Sequence, residues 1–154
     1  MQKKELLNLY EAIKIVGDLR GMKFVYAMAK NVNLIKDEID SILKAVNTDE
    51  KKEFEDKRIE LAKKYSKKDK DNKPIMINNS YIIGEEEKFN KEFSSLKKEY
   101  KECLDKEEKF LKTEAPKINF YKIDKDDIPE GITVNQLSNI FVLIKDDERT
   151  TNKK

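Results

Sequence analysis

Apolar residues recur at alternating spacings of four and three along two stretches of the chain. This spacing keeps one narrow apolar stripe on a helix, and two such stripes joined by a polar connector predict an antiparallel helical hairpin. The first stripe consists of Met28, Val32, Ile35, Ile39, Ile42 and Val46. The second stripe consists of Phe89, Phe93, Leu96, Tyr100 and Cys103, with Phe110 one heptad further on.

Two helices are predicted before the connector. The first covers residues 5–19, where apolar residues fall at helical spacing. The second runs from Met22 to about Tyr65, but its stripe is interrupted by polar residues after residue 46. Asn47 followed three residues later by Glu50 has the spacing of a capping box, so the helix either breaks there or continues with a shifted face. One long helix with a local kink is the favoured interpretation.

The connector combines a polar loop with two short β-forming runs. Residues 66–73 are all polar and precede Pro74, which disfavours a helical conformation at the residue before it. Residues 75–77 and 81–83 are rich in isoleucine and flank the turn sequence Asn78-Asn79-Ser80. A small β-hairpin is therefore predicted at the connector.

The rest of the chain predicts a helix, a strand and a short last helix. The helix covers residues 85–111 and carries glutamates in its first turn, where they complement the helix dipole. Residues 117–123 are rich in β-branched and aromatic residues and predict a strand. Thr133, with Gln136 three residues on, is a capping box that opens the last helix. The apolar face of that helix consists of Leu137, Ile140, Phe141 and Ile144.

These elements predict a mainly α fold of the α+β class: a long antiparallel helical hairpin with a small β-hairpin at its connector, plus a C-terminal strand and a short helix. The chain has 154 residues, of which 42% are charged and 38% hydrophobic, so its core must be thin. Helices that each bury one stripe suit that ratio. Residues 1–145 are predicted to form a single helical-hairpin domain, and residues 146–154 a disordered polar tail.

Charge and cysteine content limit the classes of partner and compartment. The chain carries 33 lysines and arginines against 31 aspartates and glutamates, a net charge of +2, so no global field drives it onto nucleic acid or membrane. The single cysteine excludes an internal disulfide and fits a reducing compartment. No apolar run has the length needed to span a bilayer. A cytoplasmic protein that does not bind membranes is expected.

The residues that enzymes use most are missing. The chain has no histidine, so the commonest general base near neutral pH and the commonest metal ligand are both absent. Cys103 lies on the second apolar stripe without a histidine to form its thiolate, which favours a core role. The four glycines lack the clustered spacing of a phosphate-binding loop. No catalytic, cofactor or metal site is predicted, and the protein is not expected to be an enzyme.

Six lysines around the connector are the best candidates for phosphate contact. Asp69 and Asp71 dilute their charge, and the stretch holds no arginine to read bases. A solvated loop is the favoured interpretation, and nucleic-acid binding is the alternative. The six are Lys63, Lys64, Lys67, Lys68, Lys70 and Lys73.

Tyr81, Tyr121 and Phe120 are the candidate contact residues for a protein partner. They fall on predicted strands near turns, where one face of the strand can stay open. Aromatic side chains anchor many protein interfaces. The alternative is a core role, since aromatic residues of strands also fill cores.

Several short segments resemble a family of short, uncharacterised proteins of tailed phages and prophages of low-GC bacteria. They are Gly21 to Phe24 running into Tyr26 to Asn31, then Lys64-Tyr65 with the polar insertion 68–74, and Phe89 to Phe93. The similarity covers most of residues 20–100. Asn72 stands where the family's turn tends to carry glycine, and asparagine also tolerates the left-handed conformation. The resemblance implies a phage accessory protein that acts by binding.

The expected function is therefore non-enzymatic protein–protein binding, either to a virion component during assembly or to a host protein. The expected location is the cytoplasm of a bacterial host cell, or the virion, and self-association is left open. The alternative is a nucleic-acid-associated protein, or an inhibitor of a defence nuclease, that uses the basic loop of residues 63–73.

Overall fold

A computed structural model describes residues 1–145 of the chain. These residues are mainly helical and include a small two-stranded antiparallel sheet, which confirms the predicted mainly α, α+β class. The helices are α1 (Lys3–Val16), α2 (Met22–Val46), α3 (Asp49–Lys64), α4 (Glu86–Glu99), α5 (Lys101–Leu111) and α6 (Val134–Asn139). The strands are β1 (Met76–Ile77) and β2 (Ser80–Tyr81), and 3₁₀ turns cover Lys125–Asp127 and Phe141–Leu143.

The chain groups into two compact units. Of the described residues, the terminal unit contains Met1–Leu43 and residues 111–145, and the central unit contains Lys44–Phe110. The predicted single domain stays a prediction, because two compact units can still share one folding transition. The predicted tail, residues 146–154, lies outside the described residues.

The core of the terminal unit combines α1, α2 up to Leu43 and the C-terminal segment. In α2 the stripe residues Met28, Ile35, Ile39 and Ile42 are buried, which confirms the inward face that the spacing predicts. Helix α1 packs against α6. The other fully buried large side chains of this unit are Phe24, Leu6, Ile13, Val16, Ile140, Leu143 and Asn31.

The helix ends at Val46 and a new one begins at Asp49, so the favoured prediction of one long kinked helix is wrong. Thr48, rather than Asn47, is the N-cap of α3. Its hydroxyl oxygen accepts a hydrogen bond from the backbone amide of Lys51 at 3.2 Å. Satisfying an amide that the start of a helix leaves unpaired favours a new helix here. The predicted helix 85–111 is likewise interrupted, at Tyr100, where φ is −99° and ψ is 19°.

The antiparallel hairpin is formed by α3 and α4, inside the central unit. Its buried cluster contains Phe54, Leu96 and Tyr100, with Phe93 and Leu104 packed against it. The second predicted stripe therefore faces α3. The first stripe, on α2, belongs mostly to the other unit, because the break at Thr48 separates α2 from the arm that pairs with α4.

The predicted β-hairpin is present at the connector. Met76 pairs with Tyr81, and Ile77 pairs with Ser80. Asn78 and Asn79 form the two-residue turn with φ of 49° and 60°, the left-handed pair that a type I′ turn requires. Ser80 belongs to β2 rather than to the turn, because a two-residue turn matches the twist of the strands.

The predicted strand over residues 117–123 does not form a ladder. Only Ile123 pairs there, in a parallel bridge with Ile144, because no neighbouring strand of residues 1–145 runs beside the segment. Helix α6 opens with the predicted capping box, in which the Thr133 amide donates to the Gln136 side chain at 2.9 Å. Phe141 does not join the predicted apolar face, since its side chain is 60% exposed.

Candidate functional site

Three exposed apolar side chains of the terminal unit lie around one cavity. Met22, Tyr26 and Tyr121 are 90%, 53% and 45% exposed, and we call them the tyrosine surface. The two tyrosine rings meet edge to face, with centroids 5.9 Å apart and an angle of 85° between their planes. All three residues line an open cavity of about 440 Å³, together with the buried Ala27 and Ile123.

Asn31 holds Tyr121 in place. Its side chain is 0% exposed, and its amide nitrogen donates to the carbonyl oxygen of Tyr121 at 2.9 Å. The amide of Tyr121 donates in turn to the side-chain oxygen of Asn31 at 2.8 Å. The asparagine amide thus satisfies both backbone groups of Tyr121, as a neighbouring strand would. The backbone of Tyr121 is anchored while its ring faces the cavity.

Charged residues form the rim of this cavity. Lys23 pairs with Asp127 at 3.1 Å, and the hydrogen bond to that carboxylate raises the pKa of the lysine. Lys145 pairs with Asp124 at 2.6 Å. Outside the lining, the ammonium of Lys30 lies 5.6 Å from the centroid of the Tyr26 ring. An aromatic centre with a polar, paired rim is the usual anatomy of a protein-binding surface.

The three predicted contact residues differ in burial and in the unit to which they belong. Tyr121 is exposed on the tyrosine surface, whereas Phe120 beside it is half-buried. Tyr81 is half-buried in β2 and belongs to the central unit. Their role in binding a partner stays a prediction.

Sequence reasoning missed Met22, Tyr26 and Asn31. Met22 and Tyr26 are four residues apart on α2 and lie outside the buried stripe. Apolar residues on the polar face of an amphipathic helix could have indicated a binding surface. Asn31 gave no comparable signal, since its partner Tyr121 is 90 positions away in sequence.

The predicted phosphate-contact lysines lie on and beside a tightly hydrogen-bonded connector in the central unit. The backbone amides of three residues form a closed ring: Lys67 donates to Ile82 at 2.6 Å, Ile82 to Ile75 at 3.0 Å, and Ile75 to Lys67 at 2.8 Å. The carboxylate of Asp69 accepts the amides of residues 71 and 73, each at 2.9 Å. Asn72 has a φ of 61°, the left-handed conformation that this turn needs. These hydrogen bonds therefore hold the loop in one conformation.

One of the six candidate lysines is engaged. Lys64 pairs with Glu92 at 3.0 Å across the helical hairpin. The other five are exposed, and within residues 1–145 they form no ion pair. They are Lys63, Lys67, Lys68, Lys70 and Lys73.

Two polar networks flank a groove of about 430 Å³ along the α3–α4 hairpin. At one end Lys57 donates to Glu99 at 2.9 Å and to the Tyr100 hydroxyl at 2.7 Å. At the other end Glu92 accepts the Tyr65 hydroxyl at 2.6 Å as well as Lys64. The Tyr65 hydrogen bond, followed by the Lys64 one, holds the pKa of Glu92 below its ordinary value. Both networks link α3 to α4.

The lowered pKa of Glu92 predicts a loss of stability in acid. A carboxylate with a lowered folded-state pKa stabilises the fold above its ordinary pKa of 4.5, and that contribution disappears as pH falls through the folded-state value. We expect the urea midpoint of the wild type to fall more steeply than that of Glu92→Gln between about pH 5 and 3. Urea titrations followed by circular dichroism at several pH values measure how the midpoint changes with pH.

Glu60→Gln, a change at an exposed position of α3 whose carboxylate forms no ion pair within residues 1–145, is the control and should keep the wild-type slope. Identical pH dependence in the wild type and in Glu92→Gln would contradict the assignment of this network.

The described residues hold neither a metal-binding cluster nor a membrane-spanning helix. In residues 1–145 no three His, Cys, Asp or Glu side chains come together in a way that could bind a metal ion. No helix in that range is both long and apolar enough to cross a membrane. Cys103 is buried as a free thiol, in agreement with a core role.

Comparisons with protein-family models, curated proteins and solved structures gave no match. The function is therefore inferred from the geometry of the described residues.

Proposed function

We propose that this chain is a non-enzymatic binding protein that docks on another protein through the tyrosine surface. The observation that carries the proposal is the pairing of an exposed Tyr121 ring with a fully buried Asn31 that clamps its backbone. Burying an amide in an apolar core costs free energy unless each polar atom is paired. Here both polar atoms of the Asn31 side chain pair with the backbone of Tyr121, whose ring faces solvent.

Such a clamp favours binding because it lowers the entropy lost on association. Tyrosine rings contribute large contact areas with few rotatable bonds, and they are enriched among the residues that dominate binding energy. A ring whose backbone is already fixed loses less conformational freedom when a partner covers it. Tyr26 packs edge to face against Tyr121, so the partner would meet two positioned rings.

The biological setting of the proposal follows from the resemblance over residues 20–100. We infer a phage-encoded accessory protein whose partner is a virion component or a host protein. Its place of action would be the bacterial cytoplasm or the assembling virion.

Affinity capture with matched variants tests the proposal. The tagged full chain is used as bait in lysate of cells that express its gene neighbours, and bound proteins are identified by mass spectrometry. The double variant Tyr26→Ala/Tyr121→Ala should lose the captured partner. Phe141→Ala removes an aromatic ring that is more exposed than either tyrosine and lies outside the cavity lining, and this variant should retain the partner. Equal capture by the wild type and both variants would refute docking through the tyrosine surface.

The basic connector supports a second candidate, contact with nucleic acid or with the channel of a defence nuclease. Within residues 1–145, four exposed lysines of the loop form no ion pair, Lys63 adds a fifth at the end of α3, and the carboxylate of Asp69 accepts amides of its own turn. Replacing Lys67, Lys68, Lys70 and Lys73 by Glu should abolish a gel shift that weakens steeply with salt. If the wild type shifts no DNA or RNA at low salt, direct nucleic-acid binding is excluded.

A further inference from the structure

The segment before Tyr121 has the pattern of a strand without a strand partner. Residues 115–122 contain no helix, turn or bend. Ile118 and Phe120 are half-buried, whereas Lys117 and Asn119 are exposed, so burial alternates with the period of a half-buried strand. The sequence favours β structure at the same positions.

The backbone of Lys117–Phe120 is unpaired. Within residues 1–145, none of the amides or carbonyls of these four residues forms a hydrogen bond. Both flanks are anchored: the Ala115 amide donates to the carbonyl of Met1 at 3.0 Å, and Tyr121 is held by Asn31. An anchored segment without a bend, with free donors and acceptors, is a template for one more strand.

A groove of about 540 Å³ runs along this segment. Residues 114–120 line it, together with Val142 and Met1, whose side chains are 39% and 40% exposed. These two apolar side chains can receive every second side chain of an added strand, because successive side chains of a strand point to opposite faces.

The charge of the groove indicates which net charge a bound partner segment should carry. Glu114 is neutralised by the N-terminal ammonium of Met1 at 2.9 Å. Lys117 forms no ion pair within residues 1–145, and the ammonium of Lys122 donates to the uncharged carbonyl oxygen of Val142. Two lysine charges therefore remain uncompensated along the groove.

We propose that an extended, acidic segment of a protein partner adds as a β-strand along Lys117–Phe120. The proposal rests on the proposed protein-binding function, but it uses backbone groups and a lysine, Lys117, that lie outside the cavity of the tyrosine surface, whereas Lys122 lines both cavities. A second copy of this chain is disfavoured as the occupant, because pairing two such segments brings like charges together.

Defined peptides test the added strand. A fluorescent peptide of alternating Glu and Val, seven residues long and capped at both ends, is titrated into the full chain and followed by anisotropy. Its Lys/Val counterpart and a version N-methylated at every second residue are the controls. The acidic peptide should bind at least about tenfold more tightly than either control. Amide exchange at Ile118 and Phe120 should be fast in the free protein and slow by about tenfold or more in the complex.

Charge reversal supplies the matched variants. Lys117→Glu/Lys122→Glu should weaken binding of the acidic peptide by about tenfold or more. Lys36→Glu/Lys44→Glu, at exposed positions of α2, should leave that binding unchanged. Equal binding of the acidic and basic peptides overturns the proposal, as does protection of these amides in the free protein. Protection that appears only as the protein dimerises assigns the segment to a second copy and also overturns it.

The two proposals fail separately. If Tyr26→Ala/Tyr121→Ala loses the captured partner while no peptide binds, only the added strand is refuted. If the acidic peptide binds and the tyrosine variants still capture the partner, only the tyrosine surface is refuted.

Discussion

Leu96→Ala is expected to lower the free energy of unfolding by about 2–5 kcal/mol. Leu96 is 9% exposed and packs with Phe54 and Tyr100 at the centre of the α3–α4 hairpin. Truncation removes apolar contact area and leaves a cavity that the surrounding rings fill only in part. For a small protein this is a large share of the total stability. Urea titration followed by circular dichroism measures the change.

Lys98→Ala, at an exposed position of the same helix, is the matched control and should change stability by less than about 0.5 kcal/mol. Equal urea midpoints for the two variants would show that Leu96 is not buried in solution. A loss that shrinks at higher protein concentration would place the Leu96 contacts between subunits, because assembly stabilises by mass action.

Asn31→Ala is expected to destabilise the protein by about 2–3 kcal/mol and to weaken partner binding. The truncation leaves the amide and carbonyl of Tyr121 without the two hydrogen bonds of 2.8 and 2.9 Å that now satisfy them. Leaving these part-buried polar groups unpaired adds a desolvation cost to the loss of the hydrogen bonds themselves. Thermal melts measure the first effect, and affinity capture measures the second.

Two further variants separate the roles of Asn31. Asn33→Ala, at an exposed position of the same helix, should have almost no effect on stability or capture. Asn31→Asp keeps the acceptor for the Tyr121 amide, but at neutral pH it places a carboxylate at a fully buried position against the Tyr121 carbonyl oxygen, so its stability should be no higher than that of Asn31→Ala. Unchanged protection of the Tyr121 amide in Asn31→Ala would contradict the clamp.

The helix faces were predictable because they depend on spacing alone. The stripe of α2 predicts the burial of Ile35 and Ile39, and the second stripe predicts that of Leu96. The break at Thr48 was harder to place, because two neighbouring residues, Asn47 and Thr48, both suit an N-cap. Which one caps depends on hydrogen bonds that the sequence leaves open.

The two predicted β elements differ in what specifies them. The hairpin turn is local: asparagine tolerates the left-handed conformation that both Asn78 and Asn79 adopt. A ladder at residues 117–123 would need a neighbouring strand, which local preference cannot supply. The same sequence signal therefore gave a hairpin in one place and an unpaired segment in the other.

Only part of the candidate site could be predicted from the sequence. Tyr121 stood out as an aromatic residue near a turn, but its exposure depends on the clamp from Asn31, far away in the chain. Tyr26 could be assigned to the solvent face of α2 from the stripe, but its edge-to-face contact with Tyr121 comes only from tertiary structure.

Photo-crosslinking from the tyrosine surface tests the central claim most directly. A photoreactive phenylalanine analogue replaces Tyr26, Tyr121 or, as the control, Phe141, in the full chain expressed with its gene neighbours. We expect that positions 26 and 121 crosslink to the same protein and that position 141 does not. Crosslinking to that protein with equal yield from all three positions, or from position 141 alone, would contradict it.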